Sequence, residues 1–230
     1  MPLKWLTPRV VALLIIYSLT GCATSSHHIA EPSAPPADSG LSSADANLSV
    51  SLNYLIVTNG RGSWTENAPW DEYVLTVTNL TELPITIGKI SLIDPRGMFI
   101  DSESSPDRLE KKSSDLAAEY GKLGVSVAAG QAAAAAGVGG IFGPMASVFG
   151  LTYDYYKTKG QEEFSKEFDR RHLAAFRLPG SKTMSGSAFF PIVPDPKALI
   201  INYTKGNEVG VVEISLEKVQ RPDRKEEKGK

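Results

Sequence analysis

Few side chains in this sequence could carry chemistry. Cys22 is its only thiol, so an internal disulfide, a Cys-x-x-Cys redox pair and a zinc site built on several cysteines are all ruled out. Three histidines are present, His27, His28 and His172. His27 and His28 stand among Ser, Ala and Pro, where metal capture by the pair competes with a plain solvated linker. His172 follows Asp169, Arg170 and Arg171 at the end of a helical stretch, where a cation suits the C-terminal end of the helix dipole. No second ligand stands four residues on, at Phe176. Glu162 and Glu163 form a carboxylate pair of the kind a hydrolase uses, but Lys159 and Lys166 place them in a charged helical face whose ordinary role is solvation. Gly-x-Ser-x-Gly, the phosphate-binding Gly-x-x-x-x-Gly-Lys-Ser/Thr and His-Glu-x-x-His are missing. The expectation is a non-enzymatic protein without metal or dissociable cofactor.

The surroundings of Cys22 are more informative. Lys4 and Arg9 lead into an apolar run at 10–17, too short for a bilayer span of roughly 20 residues and suited to the core of a secretory signal. Leu19, Thr20, Gly21 and Cys22 follow, an order that resembles the lipobox of bacterial lipoproteins. The resemblance implies cleavage before Cys22, a diacylglycerol on its sulfur and an N-acyl chain on its amine. Anchors with two or more chains hold a protein stably on a membrane. In such lipoproteins Asp after the cysteine commonly signals retention in the inner membrane. Ala23 stands there, which points to the outer membrane and a periplasm-facing domain, with the inner membrane and the cell surface as alternatives. An ordinary secretory peptide with a chance cysteine is the competing reading.

Lysine and arginine total 24 against 26 acidic residues, a net charge of −2, so no basic excess invites nucleic acid. Residues 22–47 are rich in Ser, Ala, Pro, Asp and Gly, and read as a disordered tether between the lipidated cysteine and the body. At Leu48 strict alternation begins: Leu48, Val50, Leu52, Tyr54 and Ile56 point one way, the mark of a half-buried strand. Further strands are expected at 73–78 and 85–93. In the latter the apolar phase slips at Gly88 and Lys89, which predicts a β-bulge. The pattern resumes at 187–190, 198–204 and 209–216, the last two joined as a hairpin by Lys205, Gly206, Asn207 and Glu208. Six such strands predict an antiparallel β-sandwich. The runs 75–79 and 186–191 resemble immunoglobulin-like modules of exported bacterial proteins, although the cysteine pair around a core Trp is missing.

The fold class is therefore mainly β with a helical insertion (α+β): a sandwich formed by 48–104 and 178–219, interrupted by a helical hairpin at 105–177. The signal peptide occupies 1–21 and a charged tail 220–230. Ser105 can cap the first helix, Pro106 fits its first position and Asp107 suits its dipole. Leu116, Tyr120, Leu123 and Val127 then mark one apolar face. Glycines at 137, 139, 140 and 143 with Pro144 break the chain, and a second helix is expected through Val148, Leu151 and Tyr155, extending past Gly160 to Phe164 and Phe168. Residues 123–153 carry no charge and about half are Ala or Gly. Gly139 and Gly143 have the spacing that permits close helix packing. The hairpin can pack on the sandwich, pack on a second copy, or enter a bilayer, although each uncharged arm is short of the ~30 Å hydrocarbon core.

Trp64 and Trp70, before the second strand, are candidate partner contacts because aromatics supply interface energy. The alternative is that they close one end of the core. The function expected from these features is that of a lipid-anchored envelope protein that docks another envelope protein or itself. A membrane-active protein that inserts its Gly/Ala hairpin is the alternative.

Overall fold

The computed structural model describes residues 36–66, 68–125, 157–217 and 219, together with 29 and 34. The signal segment with Leu19, Thr20, Gly21 and Cys22, the glycines Gly139 and Gly143, and the expected helical positions Val127, Val148, Leu151 and Tyr155 lie outside the described residues.

Among the described residues nine strands and two helices follow in the order β1 (Leu41–Ala44), β2 (Leu48–Ile56), β3 (Trp70–Asn79), β4 (Ile85–Ile93), β5 (Phe99–Asp101), α1 (Pro106–Lys122), α2 (Lys157–Arg171), β6 (Phe176–Leu178), β7 (Thr183–Pro191), β8 (Ala198–Lys205) and β9 (Glu208–Ser215). They form two antiparallel sheets, β1-β2-β3-β7 and β5-β4-β8-β9, with β6 also paired to β4. The two sheets form a sandwich, and the helices are inserted between β5 and β6.

Alternation places the core. Leu48, Val50 and Leu52 of β2 and Leu75 and Val77 of β3 meet Ile87, Ile90, Leu199, Ile201 and Val212 from the other sheet in one buried cluster. Inward positions on β-branched or leucine-rich strands bury about 1.5–3 kcal/mol of side chain each. The slip at Gly88 is a bulge, because the β4–β8 register shifts between Ile87 and Ile90. Gly206 opens the β8–β9 turn at φ +61°, a backbone conformation that a Cβ opposes.

Several boundaries differ from expectation. β1 lies within the stretch read as tether and pairs Leu41 with Leu52. Its four residues alternate half-buried with exposed, too short a run to stand out from its Ser/Ala surroundings. β2 carries its own irregularity, since its register with β3 skips Asn53. Tyr54 therefore leaves the core face and Leu55 takes it, with 5% of its surface exposed. β5 and β6 have three residues each, below the length at which period two is detectable.

In α1, Ser105 and Pro106 hold the expected cap and first positions, yet the Ser105 hydroxyl makes no capping bond. The buried face is Leu109, Ser113, Leu116, Ala117 and Tyr120. Leu123 was expected on that face; it ends the helix and is 59% exposed. Among the described residues no helix is long and apolar enough to cross a membrane.

Candidate functional site

The sequence-selected tryptophans meet the insertion on the outer face of the first sheet. Trp70 and Glu72, two apart on β3, project to the same side. They pair with Pro191 and Phe189 of β7. α2 lays Phe164 and Phe168, one turn apart, onto that face. Phe164 stacks on Trp64 at 5.2 Å between ring centroids, and Phe168 on Phe189 at 4.2 Å. Leu109 of α1 and Ala68 complete a second buried cluster, separate from the one between the sheets.

One carboxylate lies inside this aromatic layer. Glu72 accepts hydrogen bonds from Trp64 Nε1 at 2.8 Å and Ser187 Oγ at 2.5 Å, and Arg171 Nη1 stands 3.4 Å away. The Arg171 guanidinium also sits 5.1 Å from the centre of the Trp64 ring, in range of a cation–π attraction. Glu167 receives Arg170 and Arg171 on its oxygens. These bonds, Arg170's first, outweigh partial burial and pull its carboxyl down to about 2. The aromatic rings supply the apolar area, and Glu72 with its donors fixes how α2 is seated.

Trp64 and Trp70 are each only 3% exposed, buried beneath α2 in the cluster on the outer face of the first sheet rather than at the end of the core between the sheets. A shallow depression of only about 10 Å³ lies beside them between Val57, Thr58, Ser63 and Glu72, far less than the roughly 300–1,000 Å³ of a small-molecule site. His172 directly follows α2, as expected, but burial between Phe168 and Phe189 lowers its pKa. The cations of the last turn are Arg170 and Arg171. Glu162 pairs with Lys166 at 2.6 Å on an exposed face, and Glu163 is exposed as well. That is the solvated arrangement their spacing suggested. Among the described residues no three His, Cys, Asp or Glu side chains are grouped to hold a metal ion.

The role of Glu72 was missed because the strand was expected to begin at Tyr73. The only signal was an acidic pair, Asp71 and Glu72, between Trp70 and Tyr73. Also unread was the edge formed by β9. Among the described residues it is hydrogen-bonded to a strand on one side only, with β1 and β2 of the other sheet packed near it, and its outward Val209 and Val211 are 77% and 50% exposed. Other strands facing the sheet margins are guarded or short. β7 receives the Leu173 amide at Ser187 O and the Glu103 amide at Phe189 O, and β1 and β5 have four and three residues.

Comparison of the chain with protein-family models, with curated proteins and with solved structures finds no match.

Proposed function

We propose that this is a non-enzymatic, lipid-anchored envelope protein whose β-sandwich docks a second envelope protein or another copy of itself through the β9 edge. The observation that carries the docking reading is that edge: eight residues long, with two exposed valines on alternate positions. An open strand presents unpaired N–H and C=O groups, and proteins commonly blunt such edges with lysine, proline or a covering segment. Strand addition uses the backbone for affinity and alternate side chains for selectivity. The acyl chains on Cys22 rest on Leu19, Thr20, Gly21 and Cys22, and the outer-membrane address, with the sandwich in the periplasm, rests on Ala23.

One experiment on intact cells tests both parts. Cys22→Ser is expected to leave the protein unprocessed or soluble, because serine cannot form the thioether, while Val211→Lys stays membrane-bound and loses its cross-linked complexes. A Cys22→Ser protein that is still cleaved and acylated would end the lipid reading. Unchanged cross-linking of Val211→Lys would end the β9 reading.

A further inference from the structure

Two pairs of exposed apolar side chains lie at one end of the sandwich, on a turn and at a helix end that the buried carboxylate of Asp94 ties together. β4 runs toward this end and returns as β5 through Asp94, Pro95, Arg96 and Gly97. Met98 and Phe99 follow the turn, 58% and 64% exposed. The Met98 amide donates to Asp94 Oδ1 at 2.8 Å and the Tyr120 hydroxyl of α1 donates to Asp94 Oδ2 at 2.9 Å. One carboxylate thus fixes the turn against the helix. Arg96 adds bonds of 2.6 Å to Asp94 and 3.1 Å to Glu119. Burial opposes the charge on Asp94, but these donors outweigh it and hold its carboxyl below the ordinary value. Just beyond, the amides of Leu123 and Val125 both donate to Tyr120 O at 3.0 Å. Their side chains remain 59% and 40% exposed.

The chain that leads back to Cys22 reaches the same end. β2 finishes here at Ile56 and β3 starts here at Trp70. The loop between them holds Thr65, which pairs with Ile29 in an isolated antiparallel bridge. Cys22 lies seven residues before Ile29, a reach of at most ~25 Å at ~3.5 Å per residue. The opposite end also exposes apolar side chains, Leu80 and Leu83, but a nine-residue strand places it about 30 Å farther away.

We propose that Met98, Phe99, Leu123 and Val125 form a second membrane contact, set into the headgroup region of the bilayer that carries the acyl chains of Cys22. The inference rests on the lipid anchor proposed above. The occupant follows from where the tether ends: an anchor on a short leash keeps this end at high local concentration near lipid, so a small apolar face suffices. Arg96 and Glu119 offset each other beside the patch, which makes it apolar rather than basic and free of any need for anionic lipid. The Asp94 clasp holds the four side chains on a rigid mount. The domain then stands with this end down and the Leu80 and Leu83 end toward the periplasm.

Acylation consumes the only thiol, so an introduced cysteine is unique in the mature protein. Phe99→Cys, Leu123→Cys and Leu83→Cys replace exposed residues and can be labelled with an environment-sensitive fluorophore in the full-length acylated protein, then reconstituted in phosphatidylcholine vesicles. The expected result is a blue shift at 99 and 123, with quenching by spin-labelled lipid several-fold stronger than at 83. Equal or weaker quenching at 99 and 123, in protein that remains vesicle-bound, would overturn the contact and leave the anchor standing. Wild-type protein whose intact mass lacks acyl chains would overturn the anchor, and this inference with it.

Discussion

Between the sheets the buried side chains are mostly Leu, Ile and Val, set by alternation along β2, β3, β4, β8 and β9. Beneath α2 they are Trp64, Trp70, Phe164, Phe168 and Phe189, drawn from a loop, two strands and a helix, with Glu72 among them. The first cluster is specified strand by strand, because each inward position is apolar whatever its neighbours do. The second exists only after three distant segments have met, and its charge is tolerated only while Trp64, Ser187 and Arg171 are in place. Loss of the first should dissolve the fold, and loss of the second should release the insertion from a sandwich that survives. Phe190 and Phe168, adjacent layers of the molecule, are both 0% exposed and test this directly. Each Phe→Ala truncation is expected to cost about 3–5 kcal/mol. For Phe190→Ala the loss should appear as one cooperative unfolding at a lower midpoint. For Phe168→Ala hydrogen exchange should accelerate across 162–171 while β8 and β9 stay protected. A single global transition of equal size in both variants would mean that the two clusters form one cooperative unit.

The same contrast explains what could be read from the sequence. β4 was legible to the residue, bulge included, because a glycine sat at the phase slip. β2 was legible in its extent but not in its irregularity: after Asn53 both Tyr54 and Leu55 are large enough to face inward, so hydrophobicity alone could not show which one turned out. The start of α1 was marked by Ser105, Pro106 and Asp107. The aromatic cluster was invisible because its members are about 100 residues apart and no local period links Trp64 to Phe164. Met98 and Phe99 lie in a part of the sandwich to which the sequence pattern assigned no strand, and their exposure depends on how Asp94 holds the turn.

Acid should separate the two clusters, since His172 belongs to the second. Burial lowers its folded pKa from 6.5, so the unfolded state takes up a proton first as pH falls. The stabilisation from a neutral, stacked His172 is therefore complete above about 6.5 and is lost as pH falls toward the folded value. Glu167, held at about 2 against an ordinary 4.5, contributes above 4.5, and that contribution is lost between 4.5 and 2. Release of α2 is expected to begin in the first window and steepen in the second, each step smaller than the Phe168→Ala effect. His172→Phe keeps a ring between Phe168 and Phe189 without a titrating group. It should remove the first step from a pH series of exchange rates in α2 and leave the second; a first step that persists would assign it to another group.

The smallest expected effect lies at the first turn of α1, which joins both clusters by sending Leu109 to one and Leu116 and Tyr120 to the other. If burial rather than capping holds this helix, its N-cap residue should be nearly dispensable. A working Ser cap contributes about 0.5–2 kcal/mol, because its oxygen accepts an otherwise orphaned amide. Ser105 has extended cap dihedrals, φ −142° and ψ 133°, but its hydroxyl makes no such bond. Its carbonyl still accepts the Leu109 amide at 3.0 Å, and alanine preserves that bond. Ser105→Ala is therefore expected to shift stability by less than about 0.5 kcal/mol in equilibrium denaturation. Tyr120→Phe at the other end strips a donor from buried Asp94 and should cost about 1–2 kcal/mol. A Ser105→Ala loss as large as that of Tyr120→Phe would show that the hydroxyl caps the helix in solution, and that α1 depends on its own terminus as well as on the two clusters it bridges.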